Sequence, residues 1–338
     1  MIQKLDEMLI RRWTLKAQEG LFVQSKFLRP LSGLWYLGAT LKNGLYDRKL
    51  LPIHRLSVPV VSIGSITAGG THKTPLVHLL AKTVQPFGSV AILSRGYKTQ
   101  DEPKLLQQRL PNVAVYVGKD RVALGAQAVK NGAQVILLDD GFQYRRLYRD
   151  FELLTLAYEH PYGYNAFLPR GLLRDPPSRL KEADALFINS EKWNNAISVE
   201  LKVRRLLNLQ GDAVTLGKKV GMFCAIAKPK RFQQTLSRLG MEVVDSWVLP
   251  DHEKPDPKKL YAFAAHCHNQ GAMALLCTEK DAVKFSFNDS FPLPIVYLEM
   301  ELEVTANLIS WQNLIEKIVL TMNNSRIHHD RTSKNYTS

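Results

Sequence analysis

The densest chemistry in the sequence lies in Gly64-Ser65-Ile66-Thr67-Ala68-Gly69-Gly70-Thr71-His72-Lys73-Thr74-Pro75. A β-branched run, Val58 to Ile63, feeds this glycine-rich turn, and Lys-Thr follows where a helix starts at about Lys73. Such a turn lets backbone N–H groups surround phosphate oxygens at a helix N-terminus. Gly69, Gly70, Thr71, His72, Lys73 and Thr74 are the expected cradle, with Lys73 meeting the β/γ-phosphates and the Thr74 hydroxyl binding Mg²⁺. The match to GxxxxGK[ST] is imperfect, because Thr67 stands at the first glycine position and His72 precedes the lysine. A second segment, Val135-Ile136-Leu137-Leu138-Asp139-Asp140-Gly141, reads as a buried strand that delivers two carboxylates at its C-terminal edge. A phosphate loop needs that partner, since the metal is held by the loop hydroxyl and a strand-end aspartate. Successive strand residues point to opposite faces, so one of Asp139 and Asp140 faces the metal and the other orients water or its neighbour.

Basic residues cluster around these segments: Arg95, Arg121, Arg145 with Arg146, and then Arg170, Arg174 and Arg179. Arginine suits bidentate phosphate binding and stabilises charge on a transferring phosphoryl group. Asp101-Glu102 and Asp251-His252-Glu253 carry groups able to accept a hydroxyl proton, which would make a nucleotide hydrolase a kinase. By residue type alone they read as ordinary exposed loop residues.

Positioning these groups requires an α/β chain. Strand segments at Val58–Ile63, Val90–Leu93, Val113–Val117, Val135–Leu138, Leu153–Leu156 and Ala185–Ile188 alternate with helical stretches, the pattern of a mostly parallel sheet. Alternation between about Ala196 and Leu216 predicts two linker strands. A second α/β unit then starts at Lys219–Phe223, with strands near Val243–Val248, Ala272–Cys277 and Ile295–Leu298. The expected organisation is an N-terminal domain over 1–195, linker strands over 196–217, a smaller α/β domain over 218–322 and a loose tail over 323–338. The length of 338 residues favours two such domains over one core.

Composition narrows the class. Hydrophobic residues make up 45% and charged residues 22%, which excludes disordered, collagen-like and coiled-coil chains. Three irregularly spaced cysteines, Cys224, Cys267 and Cys277, give neither a disulfide framework nor a zinc site, and a reducing cytoplasm fits them. The net charge of +14 points to a polyanionic partner: nucleic acid, anionic lipid or a phosphorylated substrate. The N-terminus carries no apolar core or cleavage site of a secretory signal. Between Arg29 and Lys42 lie 12 uncharged residues, too short as a helix to span a bilayer. Leu31, Leu34, Trp35, Gly38, Leu41 and Leu45 nevertheless form one apolar stripe, flanked by Lys26, Arg29, Lys42, Arg48 and Lys49. That stripe either lies on an anionic membrane surface or packs on the protein's own core. Two other classes share these features. A nucleic-acid-dependent P-loop ATPase would explain the loop and the charge, but the sequence has no RNA-binding signature or helicase-like motif series. A membrane-associated binding protein with a decayed nucleotide site would explain His72.

The motifs occur in a fixed order: Gly-Gly-Thr-x-Lys-Thr-Pro, Ser94-Arg95-Gly96-Tyr97, Asp101-Glu102-Pro103, Gly118-Lys119-Asp120-Arg121, Asp139-Asp140-Gly141-Phe142-Gln143, Leu168-Pro169, Leu172-Leu173-Arg174-Asp175-Pro176, Ala227-Lys228-Pro229, Arg231-Phe232, Pro250-Asp251-His252 and Thr278-Glu279-Lys280-Asp281. In that order, from about residue 58 to 285, the chain resembles the tetraacyldisaccharide 4′-kinase family of lipid A biosynthesis. The resemblance implies a P-loop domain joined by a two-stranded linker to a smaller α/β domain. It also implies ATP-dependent phosphorylation of the 4′-hydroxyl of a tetraacylated disaccharide 1-phosphate, at the cytoplasmic face of the bacterial inner membrane, with no nucleic acid partner. On the family pattern Asp101 is the catalytic base, His252 its partner and Lys73 a phosphate ligand. Thr74, Asp139 and Asp140 are the Mg²⁺ side, and Arg121, Arg174 and Gln143 are phosphate or substrate contacts. The family usually has glycine at His72, histidine at Tyr144, glutamate at Asp175 and histidine at Glu253. The same resemblance favours the membrane for the N-terminal stripe.

Overall fold

The computed structural model describes residues 20–96, 101–190, 193–226, 229–250, 253–286 and 291–334; the side chains of Asp101, Glu102 and residues 326–334 lie outside the description. The chain divides into two compact units. The first holds the described residues up to Gly96, Leu110–Glu200 and the chain from Leu302 on; the second holds Leu201–Glu301 and the segment ending at Arg109.

In chain order the elements begin with α1 (Arg29–Asp47), β1 (Val60–Gly64), α2 (Lys73–Val84), β2 (Val90–Ser94) and α3 (Asp101–Arg109), the last counted with the second unit. They continue with β3 (Ala114–Val117), α4 (Arg121–Lys130), β4 (Val135–Asp139), β5 (Phe151–Leu156), β6 (Ala185–Ile188) and β7 (Ile197–Asn208). β1, β2, β4 and β5 are buried at every position. Near-continuous apolar runs are what a parallel sheet needs when both faces are covered. The first unit's strand order is β3-β2-β4-β1-β5-β6-β7, with parallel pairing throughout. β1 lies between β4 and β5, and its register sets Ile63 opposite Asp139. The glycine-rich loop after β1 and the aspartates after β4 therefore leave the same sheet edge side by side, as the sequence pattern requires. Gly64 makes this approach possible: a Cβ there would lie 2.5 Å from the Phe142 Cβ. Asp120 caps α4, accepting from the backbone N–H groups of Val122 and Ala123 at 3.1 and 3.3 Å.

The second unit comprises β8 (Lys219–Cys224), α5 (Pro229–Arg238), β9 (Glu242–Val248), α6 (Pro257–Asn269), β10 (Leu275–Thr278), α7 (Glu279–Ala282) and β11 (Ile295–Ala306). Its strands run in the order β11-β10-β8-β9, all parallel, with the distal half of β7 alongside β11. Phe223, Leu260, Cys267, Leu275 and Cys277 pack one face, and Val220, Met222, Leu276 and Val296 the other. The three cysteines are buried free thiols.

Three sequence expectations change. β7 supplies one linker strand, but residues 209–217 form a turn at Gly211 and an isolated bridge, Leu207 to Ala213. The second strand that passes between the units is β11, which runs past Leu298 to Ala306. Its outer half alternates glutamates with apolar residues, and Glu299 and Glu301 pair with Arg205 and Arg204 of β7 at 2.6 Å each. Finally, α8 (Leu308–Lys334) belongs to the first unit and carries the expected loose tail on as helix to Lys334. Leu314, Ile315, Ile318 and Met322 are buried and anchor it, and no glycine or proline follows to stop its propagation.

α1 is unusual in what it hides. Its buried residues are Ser32, Asn43 and Tyr46, while Leu31, Leu34, Leu37 and Leu41 are 49–66% exposed and Trp35 and Tyr36 also face outward. Among the described residues, no helix is long and apolar enough to cross a membrane.

Candidate active site

The loop after β1 is built so that its backbone curls at a helix start. Gly69 has φ +107° and His72 φ +65°, the latter directly before α2. Gly70 has open space where a Cβ would stand. The first amides of a helix have no intrahelical acceptor and carry the positive end of its dipole, so this turn presents donors to an anion. The rest of the loop is tied down. The Ser65 hydroxyl accepts from the Thr67 N–H at 3.1 Å, and the Thr71 Oγ1 lies 2.9 Å from that of Thr155, itself 3.1 Å from the Gly64 carbonyl. Thr67 is fully buried and bridges to Leu173, which accounts for a threonine at the first glycine position.

That bridge brings in Arg174. The Ala68 N–H donates to the Leu172 carbonyl at 2.8 Å, and the Arg174 N–H to the Ile66 carbonyl at 2.8 Å. The Arg174 guanidinium then reaches Asp140, 2.8 and 3.1 Å from its two oxygens, and the Lys73 Nζ lies 3.6 Å from the same carboxylate. Burial pushes the Asp140 carboxyl up, but Lys73, Arg174 and Arg121 together hold it well below the usual carboxylate range. Asp140 has φ +49°, which turns the chain sharply after β4. Asp139, buried at the strand end, takes a 3.4 Å hydrogen bond from the Ser94 hydroxyl. Thr74 sits half-buried in the first turn of α2.

Arg121 is buried at the start of α4. Its guanidinium donates to the backbone carbonyls of Asp139 and Asp140 at 3.2 and 3.3 Å and stacks 4.1 Å from the Tyr144 ring centre. The Tyr144 hydroxyl in turn accepts from the Arg121 N–H at 3.0 Å, so tyrosine at this position braces the arginine. Gln143 donates from Nε2 to the Ser65 carbonyl at 2.9 Å and to Asp175 at 2.8 Å, acting as a strut under the loop. Asp175 is 3% exposed and fully engaged: it also accepts from Asn43 and Arg179 at 2.8 Å each. Arg179 further pairs with Glu182 and stacks on Phe142. Arg145 holds Asp47 and the Asn43 carbonyl of α1. The structure thus sorts the basic cluster: Lys73 and Arg174 face the loop, Arg121 grips the aspartates' backbone, and Arg145 and Arg179 secure α1. The signals that sequence reasoning missed are Asn43 and Ser32, polar positions on the side of α1 away from its apolar stripe. Asp101 is the first residue of α3, in the second unit; its side chain, and the whole of Asp251 and His252, lie outside the described residues.

A sheet edge that sets a glycine-rich helix start, a lysine and an arginine against strand-end aspartates defines a P-loop kinase. The profile of the family described as tetraacyldisaccharide-1-P 4′-kinase matches residues 24–319. Tetraacyldisaccharide 4′-kinase of Syntrophus aciditrophicus is 32% identical over 87% of this chain and 92% of its own. That of Chlamydia abortus is 34% identical over 88% and 90%. The crystal structure of Aquifex aeolicus LpxK in complex with ATP superimposes with a TM-score of 0.72 at 27% identity, over 86% of this chain and 98% of that one. The chain belongs to the tetraacyldisaccharide 4′-kinase family.

Proposed function

We propose that this protein transfers the γ-phosphoryl group of ATP to the 4′-hydroxyl of a tetraacylated disaccharide 1-phosphate at the cytoplasmic face of a bacterial inner membrane. The observation that carries the reading is the convergence of Lys73 and Arg174 on Asp140 beside the loop at Gly69–Thr74. Backbone amides of that loop and Lys73 bind the triphosphate, and Arg174 adds positive charge where the transferring group carries its charge. Two oxygen donors fit Mg²⁺, the Thr74 hydroxyl and the Asp139 carboxylate, whereas Asp140 is already held by two cations. An ion held by these residues would neutralise charge on the β- and γ-phosphates. Asp101, oriented by His252, takes the proton from the attacking sugar hydroxyl.

The membrane part of the reading rests on α1, whose exposed leucines and Trp35 would enter the headgroup region while its polar side holds the site loop. Ser32 donates to the Phe167 carbonyl at 2.6 Å and the Trp35 indole to the Arg174 carbonyl at 3.2 Å, so the helix touches the segment that carries Arg174. An acceptor whose acyl chains stay in the bilayer is thereby met at the interface. Asp101→Ala and His252→Ala are expected to cut phosphoryl transfer by at least about 100-fold while leaving ATP binding by titration calorimetry nearly intact; loss of ATP binding would remove both residues from proton transfer. Stimulation of ATP hydrolysis by RNA or DNA, but not by the lipid acceptor, would contradict the substrate.

A further inference from the structure

The segment Thr278-Glu279-Lys280-Asp281 takes no part in the reaction described above, yet it holds charges the second unit keeps from water. Asp281 is fully buried, and Lys284 keeps 6% of its side chain exposed. The Asp281 carboxylate accepts from the Lys284 Nζ at 2.7 Å, the Thr278 hydroxyl at 2.6 Å and the Ala225 N–H at 3.1 Å. The same ammonium donates to the Glu253 carbonyl at 3.1 Å, and the Glu253 N–H donates to the Pro250 carbonyl at 3.0 Å. Lys284 is therefore bonded to the residue directly after His252. Two residues before Asp281, Glu279 receives Arg109 through both Nε and Nη2, and Arg109 also donates to the Met300 carbonyl at 2.7 Å. Arg109 is the last residue of α3 and Asp101 the first.

A buried ion pair is a poor way to gain stability, since apolar residues of similar volume do as well or better. This buried pair and the part-buried Arg109–Glu279 pair, within six residues and each ending on a segment that carries one member of the proposed proton-transfer pair, call for another reason. We infer that the segment Thr278–Lys284 is a positioning element: Glu279 fixes α3 through Arg109 and so aims Asp101, and Lys284, held by Asp281, fixes Glu253, the residue that follows His252 in the chain. The inference rests on the proposed roles of Asp101 and His252. The lever is short, about 12 Å along α3, so a tilt of ~5° displaces its first residue by about 1 Å. A misplacement of that size costs on the order of 100-fold in rate.

Double-mutant cycles on the full chain test this. Lys284→Met is expected to lower kcat by about 10- to 100-fold with the ATP KM within about threefold, but to lower it less than about twofold further in a His252→Ala background. Arg109→Ala is expected to behave likewise against Asp101→Ala, with Arg109→Lys restoring part of kcat. Should Lys284→Met fail to fold, Asp281→Asn/Lys284→Met, which removes both charges together, carries the same cycle. Full additivity, or an unchanged kcat, overturns the positioning role while the base and its partner stand. Wild-type kcat in Asp101→Ala and His252→Ala themselves overturns the proton-transfer reading and this inference with it.

Discussion

Asp140 shows how a single residue can gather cations beside a glycine-rich loop. Its carboxylate is shared by Arg174 and Lys73, and its backbone carbonyl by Arg121, so it fixes three cations at spacings their mutual repulsion would otherwise widen. Asp140→Ala is expected to cost about 3 kcal/mol in chemical denaturation, because the partners stay charged after the anion is removed. The sign with pH follows: a carboxyl held below its ordinary value contributes stability that is complete above about pH 4 and is lost only as pH falls through the folded-state value. Between pH 5 and 8 this group leaves stability flat. His72 carries a different burden. Its φ of +65° costs a side-chain-bearing residue about 1 kcal/mol relative to glycine, so His72→Gly is expected to hold or raise Tm and leave the ATP KM within about threefold. A larger loss of ATP affinity would assign the imidazole a phosphate contact. The approach of Lys73 to Asp140 beside the glycine-rich loop was legible in the strand–loop–helix and strand–Asp-Asp patterns. The strut role of Gln143 was not, because an amide is equally suited to a ligand or to a carbonyl across the loop.

At the scale of elements, α1 is the clearest departure from ordinary amphipathicity. Its apolar stripe was readable from helical spacing, but the side it turns to the protein is set by Ser32, Asn43 and the buried Asp175–Arg179 pair, contacts more than 130 residues away in sequence. A spacing rule finds a stripe without saying what covers it. Leu34→Glu/Leu41→Glu is expected to abolish co-sedimentation with anionic vesicles while changing stability by less than about 0.5 kcal/mol; retained vesicle binding would take α1 out of the interface. Asp175→Ala is expected to do the reverse, lowering stability by about 3 kcal/mol because Asn43, Gln143 and Arg179 lose their shared acceptor, with α1 released from the loop. β1, β2, β4 and β5 were legible because buried parallel strands are near-continuously apolar. The outer half of β11 was not, because its glutamates are held by Arg204 and Arg205 on a strand nearly 100 residues earlier.

For the whole molecule, fold and chemistry are linked through the order of the first unit's sheet, which sets the ends of β1 and β4 side by side and lets one loop and one aspartate pair form a site. The order could not be read from strand lengths, and the contribution of α3 to the second unit could not be read from chain continuity. Stability of the fold carries a pH signature of its own. Burial pushes the Glu152 carboxyl up to about 7, with Arg149 and Ser62 opposing, so the folded chain keeps a proton that the unfolded chain releases near 4.5. Stability therefore falls as pH rises from about 4.5 to 7, and Glu152→Gln is expected to flatten that part of the Tm profile; an unchanged slope would remove Glu152 as its source. The central claim is transfer to a lipid-borne sugar hydroxyl, and its most direct measurement is radiolabelled phosphate moving from γ-labelled ATP to a tetraacyl disaccharide 1-phosphate in detergent micelles with magnesium, resolved by thin-layer chromatography. The account predicts a labelled bisphosphorylated glycolipid that disappears with Lys73→Ala. Label released only as inorganic phosphate, with the acceptor unchanged, would contradict it.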